Sequence, residues 1–237
     1  MFMRYMMMFA VIWMLTGCQQ QEDFTKEDVA LISSMNLSFI QAAENGDTDK
    51  VLQGIKDGID MNTRDDQGRT AILAATHGNK VDTVRALVEA GADINLQDNR
   101  LDNPLLYAGA EGLLDIVKVM VEAGADPAIT NRYGGTALIP ASEHGYVEVV
   151  KELLSGSTIN VNHVNNLGWT ALMEAIVLND GGEQQQQVIQ LLIEYGADVT
   201  IPDKNGVTPL EHARANHFEA IERLLVAAEL NSEKVRG

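Results

Sequence analysis

The chain contains a single cysteine, Cys18, and only 5% aromatic residues among its 237 positions. One cysteine excludes an intramolecular disulfide, and the scarcity of rings indicates a core of small aliphatic side chains. Basic residues are also few, because 17 Lys and Arg stand against 34 Asp and Glu, a formal net charge of −17. This balance disfavours binding of bare nucleic acid or anionic lipid over the whole surface. The 46% of hydrophobic residues favours one or two globular domains over disorder.

The sequence also lacks the short motifs that accompany common catalytic chemistries. It contains no G-x-S-x-G, no H-E-x-x-H, no P-loop and no dinucleotide fingerprint. Its five histidines include no close pair with metal-ligand spacing to a carboxylate or thiol. We therefore expect no catalytic residue, no metal site and no cofactor, and we interpret the chain as a non-enzyme.

The apolar stretch near the start of the chain is too short to cross a membrane. Residues 5–15 follow Arg4 without a charge, and as a helix they would reach about 16 Å, against a hydrocarbon core of about 30 Å. This pattern is typical of a secretory signal that is removed from the mature protein.

The end of that stretch, Leu15-Thr16-Gly17-Cys18, resembles the lipobox of bacterial lipoproteins. The resemblance implies that residues 1–17 are cleaved and that lipid is attached to the thiol and the new amino group of Cys18. Gln19 then resembles the default signal for the outer membrane, and 18–27 would form a polar tether. We expect a protein held by its N-terminal lipid alone, on the inner leaflet of the outer membrane and facing the periplasm. An ordinary signal peptide with an incidental cysteine is the alternative.

A tripeptide of the Gly-Ala-Asp type recurs through the rest of the chain. Its copies begin at Gly58, Gly91, Gly124 and Gly196, and the first two steps are 33 residues each. The stretches "NGVTPLEHA" (205–213) and "DNPLLYAGAEG" (102–112) resemble the ankyrin repeat, which has a period of about 33 residues and a T-P-L-H-x-A signature. The resemblance covers a domain of residues 28–233, before a tail of 234–237. Six repeats fit, at about 34–66, 67–99, 100–132, 133–166, 167–204 and 205–230.

The resemblance implies an all-α solenoid, in which each repeat is a helix–turn–helix followed by a β-hairpin loop. About six such repeats would stack in a curved array that ends in capping helices, formed by residues 25–35 and by the charged last repeat. Threonine hydroxyls are expected to cap the first helices at Thr70, Thr136, Thr170 and Thr208. Repeat five carries an insertion at 179–187, which we interpret as a longer solvated loop, with a binding loop as the alternative.

Ankyrin proteins usually bind partners through their hairpin tips, and the repeat register assigns residues of this chain to those tips. Three arginines of a strongly acidic protein fall in this row together with two aromatic residues: Arg69, Arg100, Arg132, Tyr133 and Trp169. Arg, Tyr and Trp dominate the energetic hot spots of protein interfaces. The alternative is that these side chains only cover neighbouring hairpins.

The second surface that the resemblance implies for binding is the concave face of the first helices. The position often held by Leu is polar or aromatic in several repeats here, and a second polar position follows one helical turn later. The residues predicted to line this strip are Tyr107, Glu111, His144, Glu174 and His212. Helices packed about 8–10 Å apart suit a peptide or protein surface better than a tight metal shell.

The function predicted from these patterns is a monomeric, non-enzymatic scaffold for a protein partner, with no nucleic-acid binding. Its layout resembles small exported ankyrin proteins of bacteria, which suggests an accessory role for a periplasmic or oxidative-stress enzyme. An immunity or antitoxin-type inhibitor of a basic toxin is one alternative, and a host-directed effector is another. A third alternative is an enzyme that uses His144 and Glu174, which requires these side chains within about 3 Å of each other or bridged by water.

Overall fold

The computed structural model describes residues 25–236, with side chains as far as 231. The described residues fall into two units, which are divided between Ser33 and Ser34. The predicted signal peptide, the lipidation residue Cys18 and most of the predicted tether lie outside the described residues.

The described residues form α-helices joined by turns, without a β-strand. The helices are α1 (Lys26–Asn45), α2 (Thr48–Lys56), α3 (Ala71–His77), α4 (Val81–Glu89), α5 (Pro104–Ala110), α6 (Leu114–Glu122), α7 (Leu138–Glu143), α8 (Val147–Gly156), α9 (Ala171–Val177), α10 (Glu183–Glu194), α11 (Pro209–Ala215) and α12 (Glu219–Arg236). They alternate between a first and a second helix of each repeat, as the solenoid prediction requires. The predicted N-terminal cap helix is continuous with the first helix of repeat one, since both lie in α1.

The starts of the first helices follow the predicted capping only in part. The hydroxyls of Thr170 and Thr208 accept hydrogen bonds from the backbone N–H groups of Met173 and Glu211, the third residues of α9 and α11. The hydroxyls of Thr70 and Thr136 are buried and form no hydrogen bond, so the capping prediction is wrong for these two residues. At Thr136 the reason is local, because the N–H of Ile139 donates to the backbone carbonyl of Thr136 at 3.2 Å instead.

The core of the solenoid is built from small first-helix residues and branched second-helix residues. A column of alanines, one in each first helix from repeat two onward, is fully buried at Ala75, Ala108, Ala141, Ala175 and Ala213. The second helices bury apolar stripes that include Val84, Leu87, Val117, Met120, Val150, Leu153, Ile189 and Leu192. Each such large side chain contributes about 1.5–3 kcal/mol of burial free energy. Because every repeat buries its face against its neighbours, the stack depends on its interfaces.

A hairpin turn precedes each of α3, α5, α7, α9 and α11, and each turn is built around one Asp or Asn side chain. We count each turn with the repeat whose first helix follows it. In the turn of repeat five, before α9, the Oδ1 atom of Asn165 accepts the backbone N–H groups of Leu167 at 2.9 Å and of Trp169 at 3.0 Å. The same bonds form at Asp65, Asp98, Asn131 and Asp203. This use of Oδ1 leaves the second side-chain atom of the turn residue free to contact the first helix that follows.

The insertion of repeat five is a loop only in its first part. Residues 183–187 form the start of α10, which has 12 residues where α4 and α6 have 9. Asn179 holds the loop in place, since its Nδ2 donates to the carbonyl of Glu143 at 2.9 Å and its Oδ1 accepts from Gln185 at 2.9 Å. The prediction of a longer loop between the helices is therefore corrected, since a longer second helix takes up much of the insertion.

The last helix, α12, has 18 residues and forms the predicted C-terminal cap. Its buried face includes Ile221 and Leu225, which complete the core of repeat six. Among the helices described, none combines the length and the apolar composition that a membrane span needs.

Candidate functional site

The hairpins and first helices of repeats three to five enclose a pocket of about 590 Å³. This volume lies within the range of about 300–1,000 Å³ that is usual for ligand sites. Seven of the predicted binding residues line it: Arg100, Tyr107, Glu111, Arg132, Tyr133, His144 and Glu174. The tip row and the concave strip, predicted separately from the sequence, therefore meet at one place.

Glu174 lies in α9 and is buried, with 6% of its surface exposed. Its Oε1 accepts a hydrogen bond of 2.7 Å from Nδ2 of Asn165, the residue that builds the preceding hairpin turn. Because Oδ1 of Asn165 is already fixed by two backbone N–H groups, the amide can present only its donor side to the carboxylate. The hairpin thus sets the position of the carboxylate.

The electrostatic surroundings of Glu174 are unfavourable for its charged form. Burial, reinforced by the negative charge of Glu143, raises the pKa of Glu174 to about 7, although the bond from Asn165 acts in the opposite direction. Glu143 also lines the pocket, at the end of α7. In the part of the chain that the structure describes, neither carboxylate forms an ion pair. One end of the pocket therefore carries two carboxylates without a paired cation. We call it the acidic end (Glu143 and Glu174).

The hairpin side of the pocket carries the opposite charge. The guanidinium of Arg132 lies 4.5 Å from the ring centroid of Tyr133 and 3.6 Å from a carboxylate oxygen of Asp102. Burial, with a smaller effect of the nearby Asp98, raises the pKa of Asp102. Tyr133 itself is 55% exposed. Arg132 and its stacked ring thus stand at the solvent-facing edge, where a partner can reach them.

Tyr107 lies on the repeat-three side of the pocket, stacked on a residue that the sequence analysis did not select. The rings of His77 and Tyr107 are 3.8 Å apart and 14° from parallel. Burial, with a contribution from the charge of Arg69, lowers the pKa of His77, and its Nε2 is buried without a hydrogen-bond partner. Burial likewise raises the pKa of Tyr107, with a further effect of Glu111. This stack gives the pocket a rigid aromatic wall.

Three of the predicted binding residues do not line this pocket. The guanidinium of Arg69 is 11% exposed and bonds to Glu44 at 3.1 and 3.3 Å and to Asp65 at 2.8 Å. It lines a smaller depression of about 330 Å³ in repeats one and two. Trp169 is half-buried beside its own hairpin turn. Arg69 matches the alternative that tip residues cover neighbouring structure, since Glu44 belongs to the preceding repeat.

The third, His212, lies one repeat beyond Glu174 at the same register. Its Nε2 is 3.0 Å from Oδ2 of Asp203, the residue that builds the hairpin turn of repeat six. The side chain of Asp203 is 5% exposed and that of His212 is 21% exposed. His212 therefore has an acidic partner within the chain and does not line the pocket. Glu174 has only a neutral amide as its partner and lines the pocket.

The pair that an acid–base enzyme would need is not formed. Glu174 receives its hydrogen bond from Asn165, and His144 contacts Tyr146 through rings whose centroids are 5.5 Å apart. No hydrogen bond joins His144 to Glu174 in the described chain, and no group of three or more potential metal ligands is found there. The lining of the pocket presents charged groups, hydrogen-bonding groups and ring surfaces.

Asn165, Glu143 and His77 also line the pocket, although they are not among the residues predicted from the sequence. A signal for Asn165 exists in the sequence, because hydrogen-bonded turn and concave residues are nine positions apart in both Asn165–Glu174 and Asp203–His212. Each of these pairs joins a donor to an acceptor. Burial of His77 and the approach of Glu143 to Glu174 depend on the packing of neighbouring repeats and carry no comparable signal.

Known proteins resemble this chain along most of its length. A family model described as ankyrin repeats (3 copies) matches residues 39–131, 115–203 and 165–234. The ankyrin repeat protein YahD of Escherichia coli (strain K12) is 46% identical over 197 residues, which are 83% of this chain and 98% of that protein. The ARF GTPase-activating protein Git of Drosophila melanogaster is 43% identical over 76 residues, 32% of this chain but only 10% of that protein.

Solved structures give the same result. The crystal structure of an ankyrin repeat domain from Acinetobacter baumannii AYE superposes with a TM-score of 0.79 at 47% identity, covering 81% of this chain and 97% of that one. The ankyrin repeat protein EF0377 gives a TM-score of 0.76 at 38% identity, covering 79% of this chain and 96% of its own. On repeat pattern, helix order and these similarities together, the chain belongs to the ankyrin repeat family.

Proposed function

We propose that this protein is a non-enzymatic, monomeric scaffold that binds a protein partner in the pocket of repeats three to five. Ankyrin repeat proteins act as protein-interaction scaffolds, and the fold is generally a non-enzymatic interaction domain. The observation that carries the proposal is the convergence of seven predicted residues on one pocket of about 590 Å³. Its mixture of rings, arginines and carboxylates suits a protein segment better than a small apolar ligand.

Site-specific photocrosslinking in cells tests this binding surface. A photoreactive amino acid replaces Tyr133, at the exposed edge of the pocket, and in a control chain it replaces the exposed Glu148 of α8. We expect a covalent partner from position 133 only, and a weaker band when Arg132→Ala is added. Equal products from positions 133 and 148 would place binding elsewhere. The matched control for Arg132→Ala is Arg85→Ala, on the exposed face of α4, which should leave the crosslinked band unchanged.

We further propose that the chain is lipid-anchored through Cys18 and faces the periplasm. The support is the lipobox-like Leu15-Thr16-Gly17-Cys18 directly after a signal-type apolar stretch. Replacement of Cys18 by Ser should move the protein from the membrane fraction to the soluble periplasmic fraction and abolish labelling with radioactive palmitate. Unchanged fractionation of Cys18→Ser would contradict the anchor.

The identity of the crosslinked partner separates the finer roles. An accessory role predicts a periplasmic or oxidative-stress enzyme as the partner. An immunity role predicts a basic toxin, whose activity the purified chain should then inhibit. A host protein as the partner would instead favour an effector.

A further inference from the structure

The acidic end of the pocket holds two carboxylates that this chain does not neutralise. Glu174 is buried, and Glu143 is close enough to affect its ionisation. Arg132, which lines the pocket, does not pair with these carboxylates. It stacks on Tyr133 and approaches Asp102 at 3.6 Å. Burying a carboxylate without a cation is costly, so an uncompensated pair is an unusual feature.

We infer that the acidic end, Glu143 and Glu174, receives the ammonium or guanidinium group of a lysine or arginine side chain from the protein partner. The inference rests on the proposed function and adds to it the chemistry that the partner must present. The partner is thus a protein segment with a basic residue at the centre of its contact.

The hydrogen bonding of Glu174 prepares it for a donor from outside. Oε1 is fixed by Nδ2 of Asn165 at 2.7 Å, whereas no donor of the described chain bonds to Oε2. A carboxylate that is already oriented loses little conformational freedom when a cation arrives. An N–H donor of a basic side chain would complete a charge-assisted hydrogen bond, which is about twice as strong as a neutral one.

The electrostatics favour a cation over any other occupant. An anionic side chain would add a third negative charge beside two carboxylates, and a neutral amide would leave both charges uncompensated. A cation removes the repulsion between Glu143 and Glu174, which contributes to the raised pKa of Glu174. The net charge of −17 also attracts a basic partner over long range.

The approach to the acidic end has a surface suited to an aliphatic stem. Pro140, Leu167 and Leu178 line the same pocket, and the two leucines are about half exposed. Lys and Arg side chains place their methylene groups along such apolar surfaces while the charged end reaches a polar group. The lining therefore accommodates the whole basic side chain and not only its charge.

Selection of random dodecapeptides on phage against the full chain tests the inference. Selected peptides are measured by fluorescence anisotropy against wild type, Glu174→Gln and Glu143→Gln. Glu174→Gln retains an oxygen that accepts the bond from Asn165, and Glu143 is only half-buried, so both variants are designed to keep the fold, which circular dichroism checks. The control is Glu148→Gln on α8, an exposed carboxylate outside the pocket.

We expect selected peptides to share a Lys or Arg whose replacement by Met weakens binding to wild type by roughly tenfold or more. The same replacement should have little effect on binding to Glu174→Gln, while Glu148→Gln behaves as wild type. Peptides that lose affinity for Arg132→Ala and Tyr133→Ala but show no basic residue coupled to Glu143 or Glu174 would overturn this inference and leave the proposed function standing. Selection of no peptide that depends on any pocket residue would overturn both.

Discussion

In repeats five and six, the residue that builds the hairpin turn contacts the concave residue nine positions later, but the charges are arranged differently. In repeat five the neutral amide of Asn165 donates to the carboxylate of Glu174 at 2.7 Å. In repeat six the carboxylate of Asp203 lies 3.0 Å from the imidazole of His212. Both turn residues use Oδ1 for the same pair of backbone N–H groups. The frame is therefore identical, and only the side chains differ.

The difference shows how one frame can either close a polar contact or leave it available. In repeat six the imidazole of His212 lies 3.0 Å from the second oxygen of Asp203, so this carboxylate already has a partner within the chain. Asn165 satisfies one oxygen of Glu174 and supplies no charge, so the net negative charge remains at the pocket. An incomplete pair at a position where the next repeat has a complete one is the signature of the binding site proposed for this chain.

The largest effect is expected from Asn165→Asp, which gives repeat five the turn residue of repeat six without its histidine. Oδ1 still accepts the turn's N–H groups, but the second oxygen then faces the carboxylate of Glu174 at hydrogen-bond distance. Two buried carboxylates in contact cannot both be ionised cheaply. We expect a loss of about 4 kcal/mol in the free energy of unfolding at pH 8, measured by urea denaturation, and a smaller loss at pH 5, where the two groups share a proton.

The double variant Asn165→Asp with Glu174→His completes the exchange between repeats. The pair then has the chemistry of Asp203 and His212, and we expect it to recover at least half of the lost free energy of unfolding. This rescue distinguishes a specific contact from general damage to the hairpin. A double variant as unstable as Asn165→Asp alone would show that the two repeats are not interchangeable at this position.

The frame of this comparison follows from the sequence, because it depends on periodic signals. The glycine-containing tripeptides recur along the sequence, and in the structure the buried alanines and the helix-starting Pro104 and Pro209 recur in the same register. Register also assigns Arg132 and Tyr133 to the tips and Glu174 to the concave face, although only the structure shows that the two surfaces meet at one pocket. Local and repeated interactions are thus recoverable from one chain.

Features that depend on pairs of side chains were less accessible. The burial of Arg69 depends on Glu44, a partner 25 residues away, and no periodic signal links them. The missing cap at Thr136 depends on which acceptor the N–H of Ile139 selects, the backbone carbonyl of Thr136 instead of its hydroxyl. In the sequence, Glu174 is a polar residue at a position that is often apolar. Its hydrogen-bond donor, Nδ2 of Asn165, is revealed only by the position of the hairpin against α9.

An intermediate effect, of opposite sign, is expected from Glu174→Gln. Because the pKa of Glu174 is raised to about 7 from a value of 4.5, the folded wild type holds a proton that the unfolded chain releases between these pH values. The wild type therefore loses stability as pH rises from about 4.5 to 7, and the glutamine variant avoids this loss. We expect Glu174→Gln to be more stable than wild type by about 2 kcal/mol at pH 8, because solvent screening at an open pocket reduces the full effect.

The same urea titrations at pH 5 supply the control, because Glu174 is mostly protonated in the folded wild type there. The two proteins should then unfold at nearly the same urea concentration. A constant difference between them at both pH values would attribute the gain to packing and not to ionisation. The carboxylate-to-amide change in repeat six, Asp203→Asn, is expected to show the opposite pH dependence.

The smallest effect is expected from Asp203→Asn, and its pH dependence should run in the opposite direction. The N–H of Val207 is the largest influence that lowers the pKa of Asp203, and the bond with His212 adds to it. The ionised carboxylate therefore stabilises the fold above pH 3.8, and this contribution is lost as the pH falls through the lower folded-state pKa. Asparagine keeps Oδ1 for the turn but cannot ionise, so its deficit relative to wild type should be present at pH 6 and shrink towards pH 3. Urea midpoints at these two pH values measure it, and a deficit that grows in acid would show that repeat six is stabilised by something other than this charge.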